Sequence, residues 1–253
     1  MLEGIRVENL RKHFKNKVAV DRLNFTIPQG ELFALLGMNG AGKTTTIRIL
    51  CGLIEPDDGD AFLHGFSIRK QKEEAKRLLG VSPQATAVAA NLTVRENLEL
   101  MAALYMTNKE QRKMVLQECI ERFSLRSVEN QRAKTLSGGF QRRLSIAMAL
   151  IGQPEIVFLD EPTLGLDVVA RHELWDLLRE MKGKTTIVLT THYLEEAEAL
   201  ADRIGIMARG KLCAMGTVQE LCEKTACSSF EEAFLSCVKE KKDENDSVRT
   251  EKC

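Results

Sequence analysis

The sequence predicts an α/β domain with a mainly parallel central sheet, an antiparallel β edge and an inserted α-helical subdomain. Three observations lead there. Short apolar runs rich in Val, Ile and Phe alternate with longer helical patterns. The opening instead reads as consecutive strands at 3–8, 18–27 and 31–36, the last two joined by the turn Pro28-Gln29-Gly30. A purely helical stretch then interrupts the alternation from Val94 to about Phe123.

The elements follow in order. Glu31-Leu32-Phe33-Ala34-Leu35-Leu36-Gly37 is the first buried strand, with a helix behind it running to about Cys51. In the helical stretch, Leu98, Met101, Ala102 and Tyr105 share one face, and Lys109 to Arg112 start a second helix. Phe140 to Ile151 is a further helix with Leu144, Ala147, Met148 and Ile151 on its apolar face. After Pro154, the strand Ile156–Leu159, the helix Arg171–Met181 and the strand Thr185–Leu189 restore the βαβ rhythm, so one parallel sheet holds both strands. Residues 1–225 read as one domain with a helical insertion at about 85–150. Residues 226–253 read as a C-terminal helix and a charged tail, which from Lys239 onward has too few large apolar groups to offset its ordering entropy and is expected to be disordered.

The chain has 253 residues, 44% of them apolar, enough for a sizeable core. Lys plus Arg equals Asp plus Glu at 36 each, so no overall field favours nucleic acid or anionic lipid, and no nucleic-acid partner is expected. No stretch approaches the roughly 18–20 apolar residues of a membrane span, and the start lacks the apolar core of a secretory signal; a cytoplasmic location is the expectation. Seven cysteines with no paired spacing read as reduced thiols.

Gly37-Met38-Asn39-Gly40-Ala41-Gly42-Lys43-Thr44 fits G-x-x-x-x-G-K-[ST] between a strand and a helix, the phosphate-binding loop of P-loop NTPases. Glycines let successive N–H groups point inward, the helix start adds positive charge, Lys43 reaches the β- and γ-phosphates and Thr44 holds Mg²⁺. Ile156-Val157-Phe158-Leu159-Asp160-Glu161 is an apolar strand ending in two acids, stopped by Pro162. Beside a phosphate loop, Asp160 suits the Mg²⁺ shell and Glu161 a general base acting on water. Leu136-Ser137-Gly138-Gly139 opens the helix at 140 with Ser137 as its cap, either a plain helix start or a second anion site.

Taken in order, these motifs resemble the ATP-binding cassette family across about residues 3–225. Phe14 looks like the aromatic that stacks on adenine, Gly37 to Thr45 the Walker A loop, and Gln84 the Q-loop glutamine. Leu136 to Gly139 resembles the family signature, Ile156 to Glu161 Walker B, Thr163-Leu164-Gly165-Leu166-Asp167 the D-loop and His192 the switch histidine. The resemblance implies ATP and Mg²⁺ as ligands, with Thr44, Asp160 and Gln84 around the metal, and Glu161, His192 and Gln84 as the catalytic set. It also implies a head-to-tail dimer, in which Ser137, Gly138, Gly139 and Asp167 of one subunit meet the nucleotide of the other. A homodimer is workable because the motif set is complete. An integral membrane permease would dock near Gln84, and the segment Ala85 to Leu92 reads as a partner-facing rim or a buried loop. Gly37 to Leu50, Leu136 to Leu150 and Thr191 to Ile204 look most like cassettes of multidrug, antibiotic-resistance and polysaccharide exporters.

Three positions depart from the family pattern: Phe14 for tyrosine, Met38 for proline and Phe140 for glutamine. Gln141 lies roughly 100° away around the helix and is not equivalent to that glutamine. His13, His64 and His172 match no motif; Tyr105 and Trp175 read as core or interface residues. The expected function is an ATPase subunit that powers a separate permease, with a soluble cassette acting on ribosomes or DNA as the alternative.

Overall fold

The computed structural model describes residues 2–15 and 17–239; the charged tail from 240 onward lies outside the described residues. Strands β1 (Glu3–Phe14) and β2 (Lys17–Pro28) pair antiparallel. The first runs on to Phe14 instead of ending at residue 8, because its alternation is broken by a register shift between Val7 and Leu10, where Asn9 takes a φ of 48°, and then resumes. Strands β4 (Asp58–Leu63) and β5 (Phe66–Ser67) form a hairpin through His64-Gly65, both with positive φ as a two-residue turn requires. Since β4 pairs with the other side of β1, the antiparallel strands make a sheet of their own, ordered β2-β1-β4-β5.

The second sheet contains β3 (Leu32–Leu36), β6 (Leu79–Ser82), β7 (Ile156–Asp160), β8 (Thr186–Thr191), β9 (Arg203–Ala208) and β10 (Lys211–Gly216), in the order β10-β9-β3-β8-β7-β6. Every pairing in it is parallel except that of β10 with β9. Both faces are covered, which is why β3 and β7 read as unbroken apolar runs. Leu32, Ala34, Leu36, Val157 and Leu159 enter one core, while Phe33, Leu35, Ile156 and Phe158 enter the other. The antiparallel sheet and α1 (Lys43–Leu50) close the second core, with Phe25 stacked on Phe33 at 5.8 Å.

The other core takes α3 (Val94–Tyr105), α4 (Lys109–Arg122), α5 (Gly138–Leu150), α6 (Val168–Met181), α7 (Leu194–Leu200), α8 (Val218–Thr225) and a helical stretch at 230–239. A short helix, α2 (Lys72–Arg77), precedes β6. Two helices start earlier than their apolar patterns. Ser137 accepts from the Phe140 N–H at 3.4 Å and starts α5 at Gly138, and Asp167 accepts from the Ala170 N–H at 2.8 Å and starts α6 at Val168 instead of Arg171.

The loop 85–92 is held from beneath. Asn97, fully buried, accepts from the Ala89 N–H at 2.8 Å and donates to the carbonyls of Ala89, Leu92 and Thr93. Val88 packs on the core, whereas Ala85, Ala87, Ala90 and Asn91 are exposed, so the loop is a tethered rim. Among the described residues no helix is long and apolar enough to cross a membrane. Cys51 and Cys119 are buried thiols, and burial pushes Cys119 up to about 12.

Truncating the ring that joins the two sheets tests this layering. Phe33→Ala should destabilise the protein by about 3–5 kcal/mol in denaturant unfolding, and a loss below about 1 kcal/mol would mean that the contact between the sheets does not hold the core.

Candidate functional site

The loop Gly37–Gly42 leaves the carboxyl end of β3 and enters α1 at Lys43. Two of its glycines are dictated by crowding: a Cβ on Gly37 would stand 2.3 Å from the Met207 carbonyl, and one on Gly42, at a φ of 109°, 2.4 Å from that of Ala19. The loop wraps the Lys43 ammonium, only 5% exposed, which donates to the carbonyls of Gly37 at 2.7 Å and Met38 at 3.4 Å. A cleft of about 420 Å³ opens on it, lined by Phe14, Lys17, Ala19, Gln84, Glu161 and the loop from Asn39 through Gly40, Ala41 and Gly42 to Lys43, Thr44 and Thr45. Phe14 is 47% exposed there, available for a planar ligand to stack on. Lys17 and Ala19 were not read from the sequence; they follow from the pairing of β2 with the strand that ends at Phe14.

The two acids at the end of β7 face different partners. Asp160 Oδ1 accepts from Thr44 Oγ1 at 3.1 Å and from Thr190 Oγ1 at 2.5 Å. The next residue turns the chain: Glu161 has a φ of 50°, and its N–H donates to the Thr190 carbonyl and hydroxyl. That turn costs on the order of 1–3 kcal/mol in a non-glycine residue and sets the side chain between Lys43 and His192. Glu161 Oε1 lies 3.3 Å from Lys43 Nζ, and Oε2 lies 2.8 Å from His192 Nδ1. His192 follows β8 directly, which runs to Thr191 because Thr190 still pairs with Asp160 in the sheet.

The remaining motif residues are not among those lining the cleft. Ser137 and Gly138 are exposed, and a Cβ on Gly138 would meet nothing within 4 Å. Asp167 is exposed as the cap of α6, beside the uncovered side chains of Leu164, Val168 and Val169. Phe140 packs partly on the core under the Arg143 guanidinium, and Gln141 donates back to the Leu136 carbonyl at 3.2 Å. Of the unmatched histidines, His13 contacts Asp57, His64 contacts Glu155 and His172 meets the edge of Trp175. Trp175 is core; Tyr105 is half exposed.

Two buried charged residues also escaped the sequence reading. Arg142, 3% exposed, directs its guanidinium at backbone carbonyls behind Gln84 and Glu161. The available signal was spacing, since Arg142 shares a buried helical face with Ser145, Ile146 and Ala149. Glu196, 1% exposed, accepts from the Trp175 indole at 3.4 Å. Burial lifts its carboxyl above the ordinary range, outweighing the nearby Thr191 and Thr163 hydroxyls and the Trp175 indole.

The cleft fits a nucleoside polyphosphate and a hard divalent cation. It joins a glycine-rich loop and a buried ammonium to an oxygen donor set, Thr44, Asp160 and Gln84, of the kind Mg²⁺ prefers. Fold and site together define a P-loop nucleotide-binding cassette. The ABC transporter family profile matches residues 20–164, more than half of the chain, and the chain belongs to that family. It is 35% identical over 244 residues to the linearmycin resistance ATP-binding protein LnrL of Bacillus subtilis, covering 93% of this chain and 78% of that protein. It is 40% identical over 221 residues to the human phospholipid-transporting ATPase ABCA3, covering 86% of this chain and 13% of that protein. The chain thus spans a small part of the length of that relative. The dimeric post-hydrolysis structure of the ATP-binding cassette MJ0796 bound to ADP and Pi superposes with a TM-score of 0.78 at 26% identity, covering 84% of this chain and 98% of that one.

Glu196 gives a pH prediction. A folded carboxyl raised above its unfolded value contributes stability that is present below the unfolded pKa and is lost as pH rises through the folded one. Glu196→Gln stays neutral, so its melting temperature relative to the parent should climb as pH rises above the usual carboxylate range; a difference independent of pH would contradict the desolvation.

Proposed function

We propose that this chain is an ATP-binding and ATP-hydrolysing subunit that powers a membrane permease on the cytoplasmic face, an exporter of drugs, lipids or polysaccharides. The observation that carries the reading is Glu161, held between Lys43 and His192 at the open edge of the phosphate loop. Residues 1–225 form the cassette in this reading, with the insertion at about 85–150.

Phe14 stacks the base, and Gly37, Asn39, Gly40, Ala41, Gly42, Lys43, Thr44 and Thr45 hold the phosphates. Lys43 exchanges the loop carbonyls for β- and γ-phosphate oxygens as nucleotide enters. Thr44, Asp160 and Gln84 would hold Mg²⁺, which when bound offsets the charge on those oxygens. Water attacks the γ-phosphorus while Glu161 accepts its proton, the bond to the β-phosphate oxygen breaks, and ADP and phosphate result. His192 holds Glu161 in place, and Gln84 orients the water.

Ser137, Gly138, Gly139 and Asp167 complete the site of a second, identical subunit. The open space around Gly138 supports this, because neither packing nor a positive φ in this chain requires glycine there. The permease docks in the apolar groove of about 310 Å³ near Gln84, among Leu79, Val81, Ala87, Met101, Tyr105 and Met148. The names of the relatives, a resistance ATP-binding protein and a phospholipid-transporting ATPase, support an exporter.

Glu161→Gln should cut ATP turnover by at least about a hundredfold with ATP binding retained. Near-normal hydrolysis by that variant would overturn the assignment of Glu161.

A further inference from the structure

Arg142 stands one turn into α5, the helix capped by Ser137. Its guanidinium has five N–H donors in a rigid fork, and all find backbone carbonyls. Nε donates to Pro162 at 2.9 Å; Nη1 to Pro83 at 2.7 Å and Gln84 at 3.3 Å; Nη2 to Asp160 at 2.6 Å and to Glu161. Those carbonyls belong to the two segments that carry the water-handling residues. On the Glu161 side the Asp160 and Pro162 carbonyls, at and just past the end of β7, take the guanidinium, while the Glu161 carbonyl shares it with the Leu164 N–H. The nearby carboxylates of Asp160, Glu196 and Glu161 offset the buried charge against its desolvation.

We propose that Arg142 is the positioning residue that locks the signature helix α5, the Gln84 loop and the Glu161 turn into one body, so that engagement of Ser137 sets the placement of both groups. The fork spans the two segments at once, Nη1 on the Gln84 side and Nε and Nη2 on the Glu161 side. Any shift of α5 that keeps these bonds carries Gln84 and Glu161 with it. Any shift that breaks them takes the guanidinium donors from the buried Pro162 and Asp160 carbonyls. Lysine cannot replace the fork: its three donors radiate from one atom and do not reach both segments in this geometry. The inference deepens the ATPase reading and rests on it.

The test compares the purified full chain with Arg142→Lys and Arg142→Met, and with Arg143→Ala as a control, since Arg143 pairs with Glu173 instead of with these loops. ATP turnover, KM for ATP and melting temperature are measured on each. Arg142→Lys should lose at least about tenfold in kcat, as a small misplacement of Glu161 entails, with KM within about threefold and Arg143→Ala near the parent. Parent-like kcat in Arg142→Lys would overturn the inference while leaving the ATPase reading in place. So would a parallel fall of kcat, KM quality and melting temperature in both Arg142 variants, which marks support of the fold alone. A parent chain that binds but never hydrolyses ATP would overturn both.

Discussion

A lysine ammonium buried to 5% exposure at the start of α1 is the demand around which the rest of this molecule is arranged. An isolated buried cation is costly, so it must be surrounded by oxygen, and the loop before it supplies its own carbonyls while Glu161 supplies the charge. Glu161 in turn needs a second donor, which His192 gives, and its backbone needs the Thr190 hydroxyl and the Arg142 guanidinium. Asp160 is tied to Thr44 and Thr190 in the same way. Each charged group is thereby satisfied by a neighbour from a different strand or helix.

Such a set can be assembled only because β3, β8 and β7 are adjacent and parallel, which brings their carboxyl ends to one edge of the sheet. From that edge come Gly37–Gly42, Thr190 to His192, and Asp160 to Pro162. The strands themselves have no choice of face, since both sides are buried in apolar cores. Helices cover one side of the sheet and the antiparallel sheet with α1 covers the other. The antiparallel sheet adds Phe14, Lys17 and Ala19 to the cleft wall.

What was legible in the sequence is whatever is contiguous in it. The phosphate loop, the acid-tipped strand and the Ser-Gly-Gly helix start each carry their chemistry within a few residues, so spacing alone located them. The order of the parallel strands, the β4–β5 hairpin and the break in β1 depend on pairings between distant segments, and a bulge such as that at Asn9 erases the period-2 signal locally. The start of α6 was missed because Asp167 was read for its motif and not for its capping oxygen. Glu196 and Asn97 gave no signal in the sequence, and Arg142 only its spacing on a buried helical face, for one shared reason. A buried polar residue declares itself through partners from other segments, while in sequence it resembles any surface charge or amide.

Two of those buried residues tie the helix that starts at Ser137 and the loop after Gln84 to the edge of the parallel sheet. Arg142 joins α5 to the Gln84 loop and the Glu161 turn, and Asn97 joins α3 to the loop that follows Gln84. That loop is pinned to the segment before the signature as well, where the Ala133 and Lys134 N–H groups donate to the carbonyls of Leu92 and Ala90. Backbone atoms make most of these links, so side-chain variation on the surface of the insertion would leave them standing. The exposed rim at Ala85, Ala87 and Ala90 is therefore mechanically continuous with Ser137 on one side and with Glu161 on the other.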